Sequence, residues 1–285
     1  MVVRRRRAST LRVFIFGAGK VGSALASALR RAKWPVTLRA ARKGLPRSPI
    51  DADIVVLALR DRDLVATVDH LRAKCGILKR AVVVHVAGAL GSAVLAPLRQ
   101  VTSGVAQMHP MISFASRAFV PSLSRGNVHV EGDPLAVRRA EKLARAIGMS
   151  PRHFPDLDPV GYHAAASLVA NGAAALAAQG VEVLVASNVP SAIAPHLLGP
   201  LLRSVADNVE KLGFPEALTG PVRRGDSAAI ERGAATLASR APDALPLYRA
   251  AVAAQLPLAR ALGEAPSEGL DAIVYWLSHP QFRPA

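Results

Sequence analysis

The first half of the chain alternates short apolar runs with longer segments in which apolar residues recur at helical spacing. The first run carries no polar position after Arg12, which is typical of a strand covered on both faces. The pattern predicts strands over 11–16, 36–38, 54–59, 81–86 and 128–130, and helices over 21–32, 63–74 and 134–147. Because strands alternate with crossover helices, we expect an α/β fold with a doubly wound parallel sheet of the Rossmann type.

The pattern changes near Asp156, after which no segment reads convincingly as a strand. Asp158 can cap a helix that begins at Pro159 and runs to about residue 187. Further helices are predicted at about 191–211, 226–240, 245–262 and 266–277. The chain is therefore expected to have a disordered basic tail over 1–10, a Rossmann dinucleotide-binding domain over 11–155, and an all-α domain for substrate and dimerisation over 156–285.

The stretch 164–187 is apolar enough to raise the possibility of a membrane span. It is mostly alanine and glycine, however, and Asn171, Gln179 and Glu182 interrupt it. A buried helix fits this composition better. We therefore expect a cytoplasmic protein with no membrane partner.

Composition adds a strong positive charge, formally +16 over 285 residues. Three explanations are open: a nucleic-acid partner, a polyanionic cofactor, or surplus arginine that keeps the protein soluble. The arginines beyond Arg4–Arg7 are scattered and aromatic residues make up 4%, too few for a base-stacking platform, which argues against nucleic acid. Cys75 is the sole cysteine, so it is expected to be a small buried hydrophobe. No metal-ligand spacing is present.

A glycine-rich loop of the form G-x-G-x-x-G, at Gly17, Gly19 and Gly22, follows the first predicted strand and opens the first helix. The first glycine permits the tight turn, the second admits a pyrophosphate and the third permits close helix–sheet packing. Unpaired amides at the helix start, including those of Lys20 and Val21, would meet the anion. A structural turn on a sheet that lost its ligand is the alternative.

The end of the second strand decides which dinucleotide is expected. An NAD site usually places an acidic residue there, whereas this chain has Arg39, Arg42 and Lys43. Such cations can bind a 2′-phosphate through charge-assisted hydrogen bonds, so NADP(H) is the predicted cofactor, although an arginine-rich chain could place cations here by chance. Leu59 and His85 end the third and fourth strands, where ligands meet open α/β sheets, and complete the candidate cofactor contacts.

Several further stretches carry a family resemblance: His85-Val-Ala-Gly88, Met108-His-Pro-Met111 with Phe114, Tyr162-His163 leading to Asn171, and 218–226. With the glycine loop, they make the chain resemble Rossmann-like NADP-binding proteins that have an uncharacterised C-terminal helical domain. These are relatives of pyrroline-5-carboxylate reductase and, more distantly, of the 6-phosphogluconate and 3-hydroxyisobutyrate dehydrogenases. The resemblance implies an active site in a cleft between the domains and a homodimer formed through the C-terminal helices.

The helix predicted to begin at Pro159 places His163, Ser167 and Asn171 at i, i+4 and i+8, on one face. A polar stripe on an apolar helix needs partners; these are either other helices or the substrate and nicotinamide. The related hydroxyacid dehydrogenases carry a catalytic lysine where this chain has Ser167. Since serine is a poor general base and His163 titrates near neutrality, reduction of an imine or carbonyl-type group fits better than alcohol oxidation.

Two more candidates come from the apolar segments. His109 precedes Pro110, so its backbone is expected to be extended; it is a second candidate catalytic residue or a loop histidine bonded to backbone. Gly88 is a candidate substrate contact. The related motif has a hydroxyl residue just before this glycine, where this chain has Ala87, which puts activity in some doubt.

The segment 219–226 resembles in position the substrate loop of pyrroline-5-carboxylate reductase. Structurally, Asp226 would cap the helix that starts at Ser227, and Gly220 would shape the turn. Functionally, Arg223 or Arg224 could clamp a substrate carboxylate, and Thr219, Gly220 and Asp226 of the same segment are further candidate substrate contacts. The two interpretations are compatible.

The expected function is thus an NADP-dependent oxidoreductase that reduces a small anionic substrate. The alternative from another class is a non-catalytic NADP-binding sensor or interaction protein that kept the cofactor site. A nucleic-acid-binding module is supported by basicity alone.

Overall fold

The computed structural model describes residues 10–73, 77–124 and 126–279. The predicted basic tail, apart from its last residue, and the prediction for Cys75 fall outside these ranges. The chain forms two compact units, Met1–Ala170 and Asn171–Ala285. The sequence places the domain boundary at about 155, and the compact units divide fifteen residues later, inside a long helix.

The first unit is built on a seven-stranded sheet of order β2-β1-β3-β4-β5-β6-β7. Neighbouring strands are parallel except β5 and β6, which are antiparallel. The predicted Rossmann-type α/β fold is confirmed. The strands are β1 Val13–Phe16, β2 Val36–Arg39, β3 Ile54–Leu57, β4 Val82–His85, β5 Val105–Pro110, β6 Asn127–Gly132 and β7 Ser150–Arg152.

Helices cover both faces of this sheet, which explains the uninterrupted apolar runs. In β1, Val13 and Ile15 face one core, shared with α1 (Lys20–Arg31) and α3 (Pro134–Ala146). Phe14 and Phe16 face the other, shared with α2 (Asp61–Ala73) and a 3₁₀ turn at Ser92–Leu98. Every residue of β1 is therefore buried, although successive side chains point in opposite directions.

The helical part agrees with the predicted helices to within three residues at each end. Its core lies among the last four helices and includes Leu245, Ile273 and Trp276. The helices are α4 Pro159–Ala186, α5 Ala194–Leu212, α6 Pro221–Arg224, α7 Ser227–Arg240, α8 Leu245–Leu262 and α9 Ser267–Ser278.

The prediction that the long apolar helix is buried is wrong for the single chain. None of the residues of α4 is buried, and α5 buries Ala194 alone. By length and composition α4 meets the criteria for a membrane-spanning helix, as no other helix in the described ranges does. The physical reason for the difference is that an apolar composition indicates that a helix is stabilised by burial. It does not indicate whether the same chain or another molecule buries that helix.

His85 ends β4 and fixes the loop that follows. Its Nδ1 accepts the backbone N–H of Ala87 at 3.2 Å, which leaves Nε2 to donate to the carbonyl of Gly91 at 3.2 Å. Burial is the main reason why its pKa is lowered from 6.5 to about 4. His85 is therefore a neutral structural residue of the first unit at physiological pH.

This burial predicts an acid-sensitive fold. His85 binds a proton below pH 6.5 when unfolded but only near pH 4 when folded, so stability is full above the unfolded pKa and is lost as the pH falls through this window. We expect the free energy of unfolding to drop by about 3 kcal/mol from this residue alone. Urea unfolding of His85→Asn should show less dependence on pH between 6.5 and 4 than wild type, with the exposed His70→Asn as control. Identical pH slopes in wild type and His85→Asn would contradict this.

Candidate active site

The glycine loop connects β1 to α1, and two of its glycines are required by packing. Gly17 has φ +114°, and a Cβ there would collide with the carbonyl oxygen of Ala58 at the end of β3. A Cβ at Gly22 would collide with the carbonyl oxygen of Gly17. These contacts hold the loop against the sheet and set the position at which α1 starts.

Gly19 serves a different purpose, because a Cβ there would meet nothing within 4 Å. Gly19 is the N-cap of α1 and makes no side-chain cap, and no acidic residue lies in the first turn. The amides of the first turn have no partners within the helix, and Lys20 adds positive charge beside them. An open helix N-terminus of this kind fits a pyrophosphate.

The cations predicted to bind a 2′-phosphate lie together after β2. Arg39 ends the strand, and Arg42 and Lys43 are exposed on a 3₁₀ turn at Ala41–Lys43. The guanidinium of Arg39 donates to the carbonyl of Gly44 at 2.6 Å and to that of Lys43 at 2.9 Å, so it also holds this turn. The residues present fit a phosphate-bearing ribose.

A cavity of about 220 Å³ adjoins the same turn, with the end of β1 and the two residues after the 3₁₀ turn on one side and α2 on the other. No sequence pattern predicted it. Its lining comprises Phe16, Gly44, Leu45, Ala66, Thr67 and His70.

The predicted catalytic histidines of the first unit meet at Gly88. A Cβ on Gly88 would collide with Nδ1 of His163 and approach Cε1 of His109 to 2.7 Å. The two imidazole centroids are 5.7 Å apart and nearly perpendicular, at 70°. Glycine at this position therefore lets two imidazoles converge beside the carboxyl end of β4.

Side chains of β4 and β5 hold the loop that carries Gly88. The side-chain amide of Gln107 donates to the carbonyl of Ala87 at 2.9 Å, while Ala87 N–H bonds to His85. Because both ring nitrogens of His85 bond to backbone, its predicted contribution to cofactor binding would come through the shape of this loop. That contribution, like that of Leu59, stays a prediction.

His109 is a buried imidazole covered by α4. Tyr162 packs edge-on against it, with centroids 5.6 Å apart. Burial, and then the neighbouring His163, lower the pKa of His109. Neither ring nitrogen meets the geometry of a hydrogen bond among the described residues, although the Val86 backbone lies near enough to favour the charged ring. His109 lies in strand β5 and not in a loop. Burial raises the pKa of Tyr162, which keeps its phenol neutral.

The polar stripe on α4 is divided between the two units, with two of its three residues in the first and one in the second. His163 is exposed and Ser167 half-buried in the first unit, whereas Asn171 begins the second. None of these three side chains has a hydrogen bond to another described residue, which disfavours the interpretation as internal helix–helix bonds. Their catalytic roles stay predictions.

The segment 219–226 belongs to the second unit. The carboxylate of Asp226 accepts the N–H of Ala229 at 3.0 Å, which is the predicted cap of α7. Arg223 makes a two-pronged ion pair with Glu264, at 2.9 and 2.8 Å, and also bonds to the carbonyl of Leu218. Because Arg223 is committed to these partners, the predicted carboxylate clamp is left to Arg224, which is exposed.

Gly220 has φ +91°, as the predicted turn requires, and Thr219 is exposed beside it. Their predicted substrate contacts stay predictions. No group of side chains that could hold a metal occurs within the described ranges.

Four residues of the first unit were missed or left without a role: Gln107, His129, Glu131 and Tyr162. The sequence does contain a sign of them: two polar residues stand two positions apart in β5, Gln107 and His109, and two more do so in β6, His129 and Glu131. β5 was not predicted as a strand, because its polar residues interrupt a short apolar run. Without β5, the pairing of His109 with His129 could not be inferred.

Comparison with solved structures shows the same fold in oxidoreductases. A Bacteroides fragilis protein provisionally described as an NADP oxidoreductase is 20% identical, with a TM-score of 0.66, over 87% of this chain and 98% of that one. Plasmodium falciparum pyrroline carboxylate reductase with NADP bound is 13% identical, with a TM-score of 0.58, over 87% and 98%. A Streptomyces aurantiacus imine reductase is 19% identical, with a TM-score of 0.55, over 93% and 99%. At these identities the likeness shows the fold.

Family models match both parts of the chain, whereas no curated protein gives a significant match. A model described as a Rossmann-like domain matches residues 3–110. A model described as a domain of unknown function, DUF2520, matches residues 127–255. The chain therefore joins a Rossmann-like domain to a C-terminal DUF2520 domain.

Proposed function

We propose that this protein is an NADP-dependent oxidoreductase that reduces an imine or carbonyl-type group of a small anionic substrate. The observation that carries the proposal is a pair of anion-binding features in the first unit. The helix start at Gly19 is open, and the end of β2 and the 3₁₀ turn after it carry Arg39, Arg42 and Lys43 and no acidic residue. The fold shared with NADP-dependent reductases supports it.

NADPH, when bound, supplies the hydride for such a reduction. The amides at the start of α1 would hold its pyrophosphate and the cations after β2 its 2′-phosphate. The chain's own residues would handle the proton. His163 is an exposed imidazole that, when protonated, can donate a proton to the oxygen or nitrogen of the reduced bond, while Ser167, one turn on, can hold that atom by a hydrogen bond.

The chemistry of these side chains favours reduction over alcohol oxidation. A reduction needs a proton donor, which a histidine provides, whereas oxidation needs a base that removes a hydroxyl proton. The related dehydrogenases' catalytic lysine is replaced in α4 by Ser167, a poor base, whereas His163, whose ring lies nearest to Gly88, can act as the proton donor when it is charged.

A second candidate is a sensor that binds NADP and performs no reduction. Ala87 favours it, because this position lacks the hydroxyl of the related motif and offers only backbone, which Gln107 and His85 already bond. A sensor would bind NADPH and leave it unoxidised.

We also propose a cytoplasmic homodimer that forms through the C-terminal helices and binds neither membrane nor nucleic acid. Large apolar side chains are exposed along α5, including Leu197, Leu201 and Val205, and α4 has no buried residue. An equivalent surface on a second copy would bury both, as a two-fold interface requires.

Cofactor preference is the first test. In Arg42→Ala the preference for NADPH over NADH should shrink by about 1–3 kcal/mol, because a charged hydrogen bond to the 2′-phosphate is lost. Arg39→Ala should do the same with an added loss of stability, since Arg39 also holds the Gly44 turn. Calorimetric titration measures both, and the exposed Arg72→Ala is the control. Equal affinities of wild type for NADPH and NADH would remove the phosphate argument.

Proton donation is tested on any compound that the protein reduces. His163→Ala should lower kcat by about 10²–10⁴-fold, the usual contribution of a general acid, while the NADPH dissociation constant stays the same. Ser167→Ala should lower kcat less. The exposed His196→Ala is the matched control. Full turnover in both variants would show that the active-site assignment is wrong.

The dimer is tested by charge insertion. Leu201→Glu should turn a dimer of 29.8-kDa chains into monomers, because it buries a carboxylate in an apolar interface. Val65→Glu changes a residue of the same exposure, 55% against 56%, on α2 and should leave the dimer intact. Light scattering after size exclusion gives the masses. A monomeric wild type contradicts the proposal.

A further inference from the structure

Strands β5 and β6 bring two polar pairs together on one face of the sheet. In their antiparallel register His109 lies opposite His129, and Gln107 opposite Glu131. Directly opposed side chains on such a pair project to the same side. Both imidazoles are buried, with 8% of His109 and 1% of His129 exposed.

These buried groups make no hydrogen bond of normal geometry among the described residues. This holds for both nitrogens of His109, both of His129, and Oε1 of Gln107. Glu131 lies near enough to His129, and the Val86 backbone near enough to His109, to favour the charged form of each ring. Because an unbonded buried imidazole nitrogen is costly, we expect small rotations of these side chains to complete hydrogen bonds within the group.

One end of this group leads towards solvent. Oε2 of Glu131 lies 3.9 Å from Nε2 of His129, beyond hydrogen-bond distance, and the Glu131 side chain is 29% exposed. Oε1 of the same carboxylate accepts the N–H of Ser92 at 2.7 Å, which holds it in place. A small rotation of the Glu131 side chain would bring the carboxylate within hydrogen-bond distance of the ring.

The other end leads to the proposed reaction site. His109 lies 5.7 Å from His163 and 5.6 Å from Tyr162, between ring centroids. Tyr162 also contacts His129, at 5.9 Å. The two buried imidazoles thus lie between a partly exposed carboxylate and the exposed His163.

Burial and neighbouring imidazoles disfavour charge on this pair, whereas nearby acceptors favour it. Burial lowers the pKa of both rings; His163, and then His129, oppose charge on His109, and His153 opposes charge on His129. Glu131 favours charge on His129, while Asp61 and the nearby Val86 carbonyl favour it on His109. A neutral imidazole offers one N–H and one lone pair, so each ring can accept on one side and donate on the other.

We propose that Glu131, His129 and His109 form a proton relay that recharges the proton donor of the active site. The relay rests on the proposed reductase function. Reduction of a C=O or C=N bond consumes one hydride, which the reduced dinucleotide supplies, and one proton. The donor loses that proton to the substrate oxygen or nitrogen; His109 restores it, His129 restores His109, and solvent restores His129 past Glu131. His129 and Glu131 are positioning residues, since they act through His109.

The test is a titration of the histidine ring nitrogens by NMR in the full-length protein, over the pH range in which it stays folded. Wild type should show coupled titrations of His109 and His129. Glu131→Gln keeps an oxygen for Ser92 but removes the charge, and it should lower the pKa of His129 and raise that of His109. His129→Asn should raise the pKa of His109 and give it a single-site curve.

The matched control is Glu141→Gln, which removes a carboxylate of similar exposure, 27%, on α3. It should leave both rings unchanged. Independent curves in wild type, with His109 unaffected in both Glu131→Gln and His129→Asn, would overturn the relay. This result needs no substrate, so it is separate from any failure of the reductase proposal.

A kinetic arm uses any compound that the protein reduces. Glu131→Gln should lower kcat by up to about 100-fold, within the range of proton-transfer contributions, with KM retained and a larger solvent isotope effect. A structural role would not produce that combination. Coupled titrations together with an unchanged kcat in Glu131→Gln would also overturn the relay.

Discussion

The close packing of the glycine loop on the sheet is the contact on which the rest of the proposed site depends. Gly17 can turn with φ +114° against Ala58, and Gly22 can approach Gly17, because neither has a Cβ. This packing fixes where α1 begins and therefore where its unpaired amides point. Gly19 then leaves those amides accessible. The proposed selection of NADP(H) by the cations after β2 depends on this arrangement.

The sequence predicted the parallel sheet and its helices well, because uninterrupted apolar runs and helical spacing report burial directly. The glycine loop and the cations after β2 were predictable for a different reason, because they follow directly after predicted strands in the sequence. β5 was not, because Gln107 and His109 break its apolar run. Their burial became intelligible once β6 placed Glu131 and His129 opposite them. Such pairings depend on the register between two strands, and this register could not be derived because β5 was not predicted as a strand.

The helix α4 shows a different limit of sequence reasoning. Its apolar composition led to the prediction that the helix is buried within its own chain. The apolar residues of α4 and α5 instead remain uncovered in the single chain. Arg223 shows the same limit for charge, because its partner Glu264 is 41 residues away in sequence. Because the sequence does not show that Glu264 binds Arg223, this arginine was predicted to bind a substrate carboxylate.

The most direct test of the proposed hydride transfer from NADPH follows NADPH oxidation by the wild-type protein across a panel of cyclic imines, keto acids and related small anionic compounds. We expect saturable oxidation with at least one of them, faster with NADPH than with NADH. Tight NADPH binding with no oxidation across the whole panel would contradict it and would favour the sensor.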